Sequence, residues 1–365
     1  MNFEENKIKW LWLSNFSAVT KSKVIKLIKE FGTIDNIFLA ERKDYERLSF
    51  LKIEDIENLS DKNLDKARLY YEKLKKENIE ILCYGEPLFP SALLLISNHP
   101  CVIYAKGIIK DLNKIPCFSI VGARASDEYG KKSALSIAKA VSENGICVVS
   151  GMADGIDSYA HTGAISGNGY TVGVLGCGVD ICYPKENRNL YEKILKNGMI
   201  ISEYPPKTPP ERFRFPERNK IIAALSLATL VIQAREKSGS LITAEQTLKF
   251  GRKLFALPGN FSSSLSKGTN ILISKGASCV TEINDILNFY GACEKDKEDL
   301  SEEKIYSSLS EEEKLIYDAL FQKPLLIDEI SKVSKIPVFK LYGILLSMEL
   351  GGIIVKDATE HYSIN

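Results

Sequence analysis

A chain of 365 residues that is 45% hydrophobic and 26% charged, with a formal net charge of +1, reads as a folded protein of two or three domains, not a disordered or fibrous one. The near-neutral balance excludes recognition of polyanions by overall charge, so any nucleic-acid surface must come from local segregation. No apolar run reaches the roughly 18 residues that span a bilayer, and the start MNFEENKIKW lacks the pattern of a secretory signal, which predicts a cytoplasmic protein without membrane contact.

Residues 1–80 carry helical periodicity, with Leu11, Leu13, Val24, Ile25, Leu27, Ile28 and Phe31 on apolar faces and Gly32 at a helix end, so a small helical domain is expected. Residues 79–114 turn strand-like, with ILCYG and CVIYAKG separated by proline turns, and predict an extra strand laid on the domain that follows. From Pro116 to Tyr290 short apolar runs alternate with helical stretches. CFSIVG, ICVVSG, YTVGVLG, MIISEYP, IIAALS, LATLVIQA and KLFALPG are the short apolar runs, and this alternation predicts an α/β, Rossmann-like, doubly wound and mostly parallel sheet over 81–290. Residues 291–303 are charged and apolar-poor, as in a linker. Residues 304–365 hold three helical segments and a final pair of short strands, the pattern of a winged helix.

Cys83, Cys101, Cys117, Cys147, Cys177, Cys182, Cys279 and Cys293 form no C-x-x-C pair, and His99, His161 and His361 have no neighbour at ligand spacing. Neither a disulfide framework nor a metal site is expected, and no cofactor is implied.

In a doubly wound sheet, ligands sit beyond the carboxyl ends of the strands. Here those ends are glycine-rich turns onto helices: Gly122-Ala123-Arg124-Ala125-Ser126, Ser150-Gly151-Met152-Ala153-Asp154-Gly155, Gly176-Cys177-Gly178, Lys237-Ser238-Gly239-Ser240 and Ser266-Lys267-Gly268-Thr269-Asn270. Such turns let a backbone approach an anion and aim helix N–H groups at it; each one alone is equally compatible with tight packing. The long segment from Ser202 to Lys220 mixes Arg212, Arg214, Arg218 and Lys220 with Phe213 and Phe215, cations for phosphates and rings for bases. The two phenylalanines can equally belong to a proline-stiffened lid packed on the sheet. Across 115–290 Lys plus Arg outnumber Asp plus Glu by 20 to 15, whereas 301–365 carry 7 Lys against 11 acids, so the basic surface belongs to the central domain.

Other chemistries lack their signatures. Gly176-Cys177-Gly178 is followed by Ile181 where a dinucleotide fingerprint needs glycine, and no phosphate-loop motif of the ATPase kind occurs. Asp157 and His161 stand one helical turn apart without a nucleophile beside them, which favours a core histidine and a helix N-terminal acid over a catalytic dyad.

Taken in order, VGAR at 121–124, SGMADGID, GCGVDICYP, SEYPP, FPERNKIIAALS, SGSLITAEQT, GRKLFALPGN and KGTNILISKGA resemble the DNA processing protein A family, also called Smf. The resemblance implies a Rossmann-like domain that binds single-stranded DNA without sequence preference, works as a homodimer and loads the RecA recombinase during natural transformation, without catalysis. It places phosphate contacts on Gly122, Arg124, Ser126, Ser150, Gly151, Arg218, Asn219 and Lys220, with Lys237, Ser238, Gly239, Lys267, Gly268, Thr269 and Asn270 further out. The chain departs from the family pattern at 15–20, where no glycine-rich hairpin occurs, at Gln233, where an acid is common, and at Lys220, where arginine is frequent. The competing expectation is a nucleotide-processing phosphoribohydrolase of the lysine-decarboxylase-like group, whose P-G-G-x-G-T motif is replaced here by Pro258-Gly259-Asn260.

Overall fold

The structure, a computed structural model, describes residues 3–16, 19–291, 306, 309–321, 323–350, 353–357 and 360–364. The charged linker expected over 291–303 therefore lies, from 292 on, outside the described residues, as do Ser17 and Ala18. The chain divides into two units, Met1–Gly291 and Ala292–Asn365.

In the first unit a nine-stranded sheet has the order β1-β2-β6-β5-β4-β3-β7-β8-β9. Its parallel part comprises β3 (Cys117–Val121), β4 (Cys147–Ser150), β5 (Thr171–Val174), β6 (Gly198–Ser202), β7 (Ala228–Val231), β8 (Lys253–Ala256) and β9 (Ser278–Cys279). Most of these strands are buried along their whole length, as the unbroken apolar runs require of a sheet covered on both faces. The chain moves outward from β3 to β6 and then returns to β7, on the other side of β3. That reversal is the topological switch point, and it opens a crevice at the carboxyl ends of β3 and β7.

The segment 79–114 supplies two strands where one was expected. β1 (Glu80–Cys83) pairs antiparallel with β2 (Val102–Gly107), and β2 pairs antiparallel with β6, so ILCYG and CVIYAKG extend the sheet together. Both are apolar enough to be covered: Ile81, Leu82, Ile103 and Ala105 are buried.

Six helices precede the sheet: α1 (Phe3–Leu11), α2 (Lys21–Phe31), α3 (Ile34–Leu39), α4 (Arg42–Glu46), α5 (Ile53–Ser60) and α6 (Asp65–Lys76). Gly32 ends α2 at φ 79°, donating its N–H to Ile28 O at 2.7 Å. The apolar faces read from the sequence, Leu11, Leu13, Leu27 and Ile28 among them, form one core with Trp10 and Tyr45, and this core continues into Tyr104, Leu175, Val179 and Ile200 of the sheet region. A second core lies among Leu93, Ile103, Val121, Val149 and Val231, with Ile222 and Ala244 from the covering helices.

In the second unit helices Glu311–Leu320, Ile327–Ser334 and Val338–Leu350 are followed by an antiparallel pair, β10 (Ile354–Lys356) and β11 (Tyr362–Ile364). Ser310 and Glu313 form a capping box, and Ile316, Ile330, Leu341, Leu345 and Tyr362 make a core of their own.

Because Trp10 is 2% exposed within a core shared by the helices and the sheet region, Trp10→Ala is expected to destabilise the first unit by about 3–5 kcal/mol. Urea unfolding followed by fluorescence of the remaining tryptophan, Trp12, reads this as a lowered midpoint.

Candidate functional site

Four helices carry the loops of the crevice: α7 (Glu128–Glu143) after β3, α8 (Ile156–Ser166) after β4, α10 (Arg214–Leu225) after β6 and α11 (Gly239–Lys249) after β7, while α9 (Arg188–Asn197) joins β5 to β6. A cleft of about 660 Å³ opens between them, lined by Gly122, Arg124, Asp157, Tyr183, Arg212, Phe215, Arg218, Asn219, Lys237, Ser238 and Gly239, among others. It is the switch-point crevice, reached from residues as far apart as 121 and 243.

Its floor is built on Arg218, which is 5% exposed. Nη1 donates to Gly151 O and, at 2.6 Å, to Val174 O, while Nε donates to Asn219 Oδ1 at 3.1 Å. One side chain thus caps the carboxyl ends of β4 and β5 and belongs to α10. A Cβ on Gly151 would stand 2.5 Å from the guanidinium and would displace it from these carbonyls. Asp157 supplies a compensating charge: burial pushes its carboxyl up, opposed by Arg218 and by the amides of Ala153 and Gly151. Burial in turn lowers Arg218, with Asp157 acting to keep it charged.

The loops after β3 and β4 lock onto each other. Gly155, at φ 76°, has no room for a Cβ, which would lie 2.3 Å from Arg124 O, and Ile156 N donates to Ala123 O at 3.2 Å. Asp127 caps α7 by accepting from Gly130 N at 3.0 Å. Gln233, just beyond β7, donates through Nε2 to Asp127 Oδ1 at 2.7 Å and accepts from Asp127 N at 3.3 Å. The amide found where an acid is common therefore pairs with an acid, a place where a second carboxylate would be repelled.

Above this floor the groups are polar and open. The Phe215 ring lies 5.6 Å from that of Tyr183, with the guanidinium of Arg124 at 5.7 Å and that of Arg218 at 5.8 Å from its centroid. Ser238 caps α11, whose N-terminus with Lys237 and Gly239 borders the cleft and presents the positive end of an eleven-residue helix. Arg124, Arg212 and Lys237 make no ion pair with a described carboxylate, whereas Lys131, Arg188 and Lys220 on nearby helices pair with Glu128, Glu192 and Glu217.

The structure brings together only part of the residues singled out in the sequence. Gly122, Arg124, Arg218, Asn219, Phe215, Lys237, Ser238 and Gly239 line the cleft. Gly151 lies beneath it against Arg218. The Ser150 hydroxyl is buried and spent on Ile120 O at 2.6 Å, and the buried Ser126 Oγ has no hydrogen-bond partner. Lys220 faces Glu217 at 2.8 Å and is not among the lining residues. The 267–270 group opens α12 (Lys267–Ser274), where Asn270 clasps both backbone groups of Gly259, the Thr269 hydroxyl donates to Ser266 O and Gly268 N to Ala234 O, all packing roles outside the cleft. Phe213 is 66% exposed, while Phe215 lies against Gly176, so the two phenylalanines divide between an open position and a lid packed on the sheet side.

Tyr183, in the GCGVDICYP loop, lines the cleft without having been assigned from the sequence, a ring in a loop at a strand carboxyl end being the available signal; Arg212, read among the cations of the long segment, lines it from the lid. His161 is buried, donates through Nδ1 to Thr171 Oγ1 at 2.7 Å, and burial pushes its pKa down to about 3, so it stays neutral. Among the described residues no group of His, Cys, Asp or Glu could hold a metal, and no helix is long and apolar enough to cross a membrane.

A doubly wound sheet with an anion-ready, ring-bearing cleft at its switch point defines a Rossmann-like ligand-binding protein. Residues 80–291 match the DNA recombination-mediator protein A family, and the chain belongs to that family. It is 35% identical over 289 residues, 78% of this chain and 72% of the relative, to protein Smf of Synechocystis. Its fold resembles that of DNA processing protein A from Streptococcus pneumoniae, with a TM-score of 0.57 and 35% identity over 74% of this chain and 98% of that one. It also resembles the Helicobacter pylori DNA processing protein A, with a TM-score of 0.53 and 31% identity over 58% of this chain and 95% of that one; the latter is described through its binding of single-stranded DNA.

Gln233→Glu is expected to destabilise the protein by about 1–3 kcal/mol at neutral pH, because a buried carboxylate would replace the donor that Asp127 accepts from. The new carboxyl's folded pKa would be raised, so the loss shrinks as pH falls through that raised value. Urea midpoints of variant and parent at pH 7.5 and pH 5 should converge at the lower pH; equal gaps would show that Asp127 and residue 233 do not interact.

Proposed function

We propose that the cleft holds the backbone of single-stranded DNA without reading its sequence, and that the protein acts in the cytoplasm, as a homodimer and without catalysis, as a mediator passing incoming strands to RecA during natural transformation. The observation that carries this reading is the convergence of Arg124, Arg212 and Lys237, all without ion-pair partners among the described residues, beside the Tyr183–Phe215 pair. Unpaired cations attract phosphates and release counterions, while an exposed ring offers a stacking face that only an unpaired base can reach. The single-stranded DNA binding mode of the H. pylori protein supports the same ligand here. Arg218 serves as the scaffold of the site and leaves direct phosphate contact to the three open cations and to the α11 N-terminus.

The second unit fits a winged helix in a docking role. Lys340 is the one cation in Val338–Leu350, and it pairs with Glu312 at 2.9 Å, leaving that helix without the basic face a duplex reader presents.

Fluorescence anisotropy with a labelled oligothymidylate at two salt concentrations tests the assignment. Arg124→Ala and Lys237→Ala should each weaken binding uniformly across sequences and lower the salt slope by about 0.7–1. Phe215→Ala should cost about 1–3 kcal/mol with the slope unchanged, the mark of a lost stacking face. Lys220→Ala, its charge already met by Glu217, should change little. A protein preferring duplex, or indifferent to all three cleft substitutions, would end the proposal.

A further inference from the structure

The SEYPP segment is one of the motifs read in the sequence, yet none of residues 202–206 lines the cleft. Its side chains turn the other way. The Glu203 carboxylate, 4% exposed, pairs with Lys21 at the start of α2, a partner 182 residues away. Lys21 occupies the positive end of its own helix, whose first turn holds no acid and whose Thr20 side chain makes no capping bond. A cation there is unfavourable, and Glu203 offsets it by supplying a carboxylate at that end. Tyr204 follows, with Lys21 Nζ 5.8 Å and the Arg214 guanidinium 5.1 Å from its ring. Arg214 is the first residue of α10, the helix that carries Phe215, Arg218 and Asn219 into the cleft.

Beneath this joint the packing is open: an apolar cavity of about 210 Å³ lies among Trp10, Val24, Cys101, Tyr104, Tyr204 and Pro205. Tyr204, half-buried beside this cavity, is held by its two cations and by its own N–H, which donates to Ser202 Oγ at 3.0 Å. Further along the loop the second anchor belongs to the sheet region itself, where Lys207 N donates to both carboxylate oxygens of Asp180, at 2.9 and 3.0 Å. Thr208 O also accepts from Gly178 N at 2.9 Å and Arg214 holds Pro209 O and Glu211, so of the fixings of the loop bearing Arg212 the one at Glu203 is supplied by the N-terminal helices.

We infer that Lys21, Glu203 and Tyr204 are positioning residues: through them the N-terminal helices hold the 203–213 loop and the start of α10 in the arrangement that presents Arg212 and Phe215 to a strand. This rests on the single-strand reading above. It gives the helical region a part in binding that needs no contact between that region and DNA.

The test uses the full chain with Lys21→Glu, Glu203→Lys, the double exchange, and Glu203→Gln in case a charge reversal lowers the melting temperature. Amide hydrogen exchange over 204–217 is measured without DNA, together with affinity for oligothymidylate and quenching of a strand carrying 2-aminopurine, which reports stacking on the rings. Each single reversal should speed exchange over 204–213 by about tenfold or more, leaving β7 unchanged. It should also weaken affinity by about three- to tenfold with loss of quenching, and the double exchange should restore most of both. Unchanged exchange, or a loosened loop with affinity and quenching intact, overturns the inference. Parent protein and latch variants binding equally well, while Arg124→Ala still binds weakly, removes this inference alone; a parent that binds no single strand removes the reading beneath it as well.

Discussion

The buried guanidinium of Arg218 is the constraint around which the functional end of the sheet is organised. It donates to two carbonyls at strand ends, Gly151 O and Val174 O, and it does so from a helix. A charge in that position is tolerable because Asp157 faces it and because every donor group used meets a carbonyl or amide oxygen. Fixing it fixes α10, and with α10 the register in which Phe215 and Asn219 stand relative to the β3 and β4 loops.

A division of labour follows between the arginines and lysines of this region. The one that is buried holds the protein to itself; those that are open and lack carboxylate partners remain available to an anion. Lys131, Arg188 and Lys220 on the surrounding helices each meet a carboxylate within one turn. The cleft gathers Arg124, Arg212 and Lys237 as open cations, although the chain as a whole is nearly neutral. His161, held neutral, and Asp157, engaged by Arg218, supply structure at the same place.

Much of the architecture was legible residue by residue. Unbroken runs such as CFSIV and CVVS announced strands covered on both faces, and the alternation with helical stretches announced parallel order. The segment 79–114 was under-read as one strand because its two runs are separated by a proline-rich connection that hides their antiparallel pairing. Within the site, glycine turns at strand ends pointed to the crevice, but turn composition does not distinguish a backbone that approaches a ligand from one that approaches its own protein. Gly155, Gly268 and the clasp of Asn270 on Gly259 are of the second kind.

By itself the sequence determined the fold class, most of the parallel strands and their order along the chain, the family, and which region carries the positive charge, since these depend on periodicity, composition and motif order, all local or additive properties; IIAALS, an apolar run as short as a strand, belongs instead to α10. Only the tertiary structure decided which cations are free. Whether Arg218 is spent on carbonyls, whether Lys220 meets Glu217, whether Lys21 reaches Glu203 and whether Tyr183 stands against Phe215 depend on distances between residues remote in sequence or on rotamers set by packing. Charge and aromaticity are written in the residue; availability to a ligand is a property of what the fold places beside it.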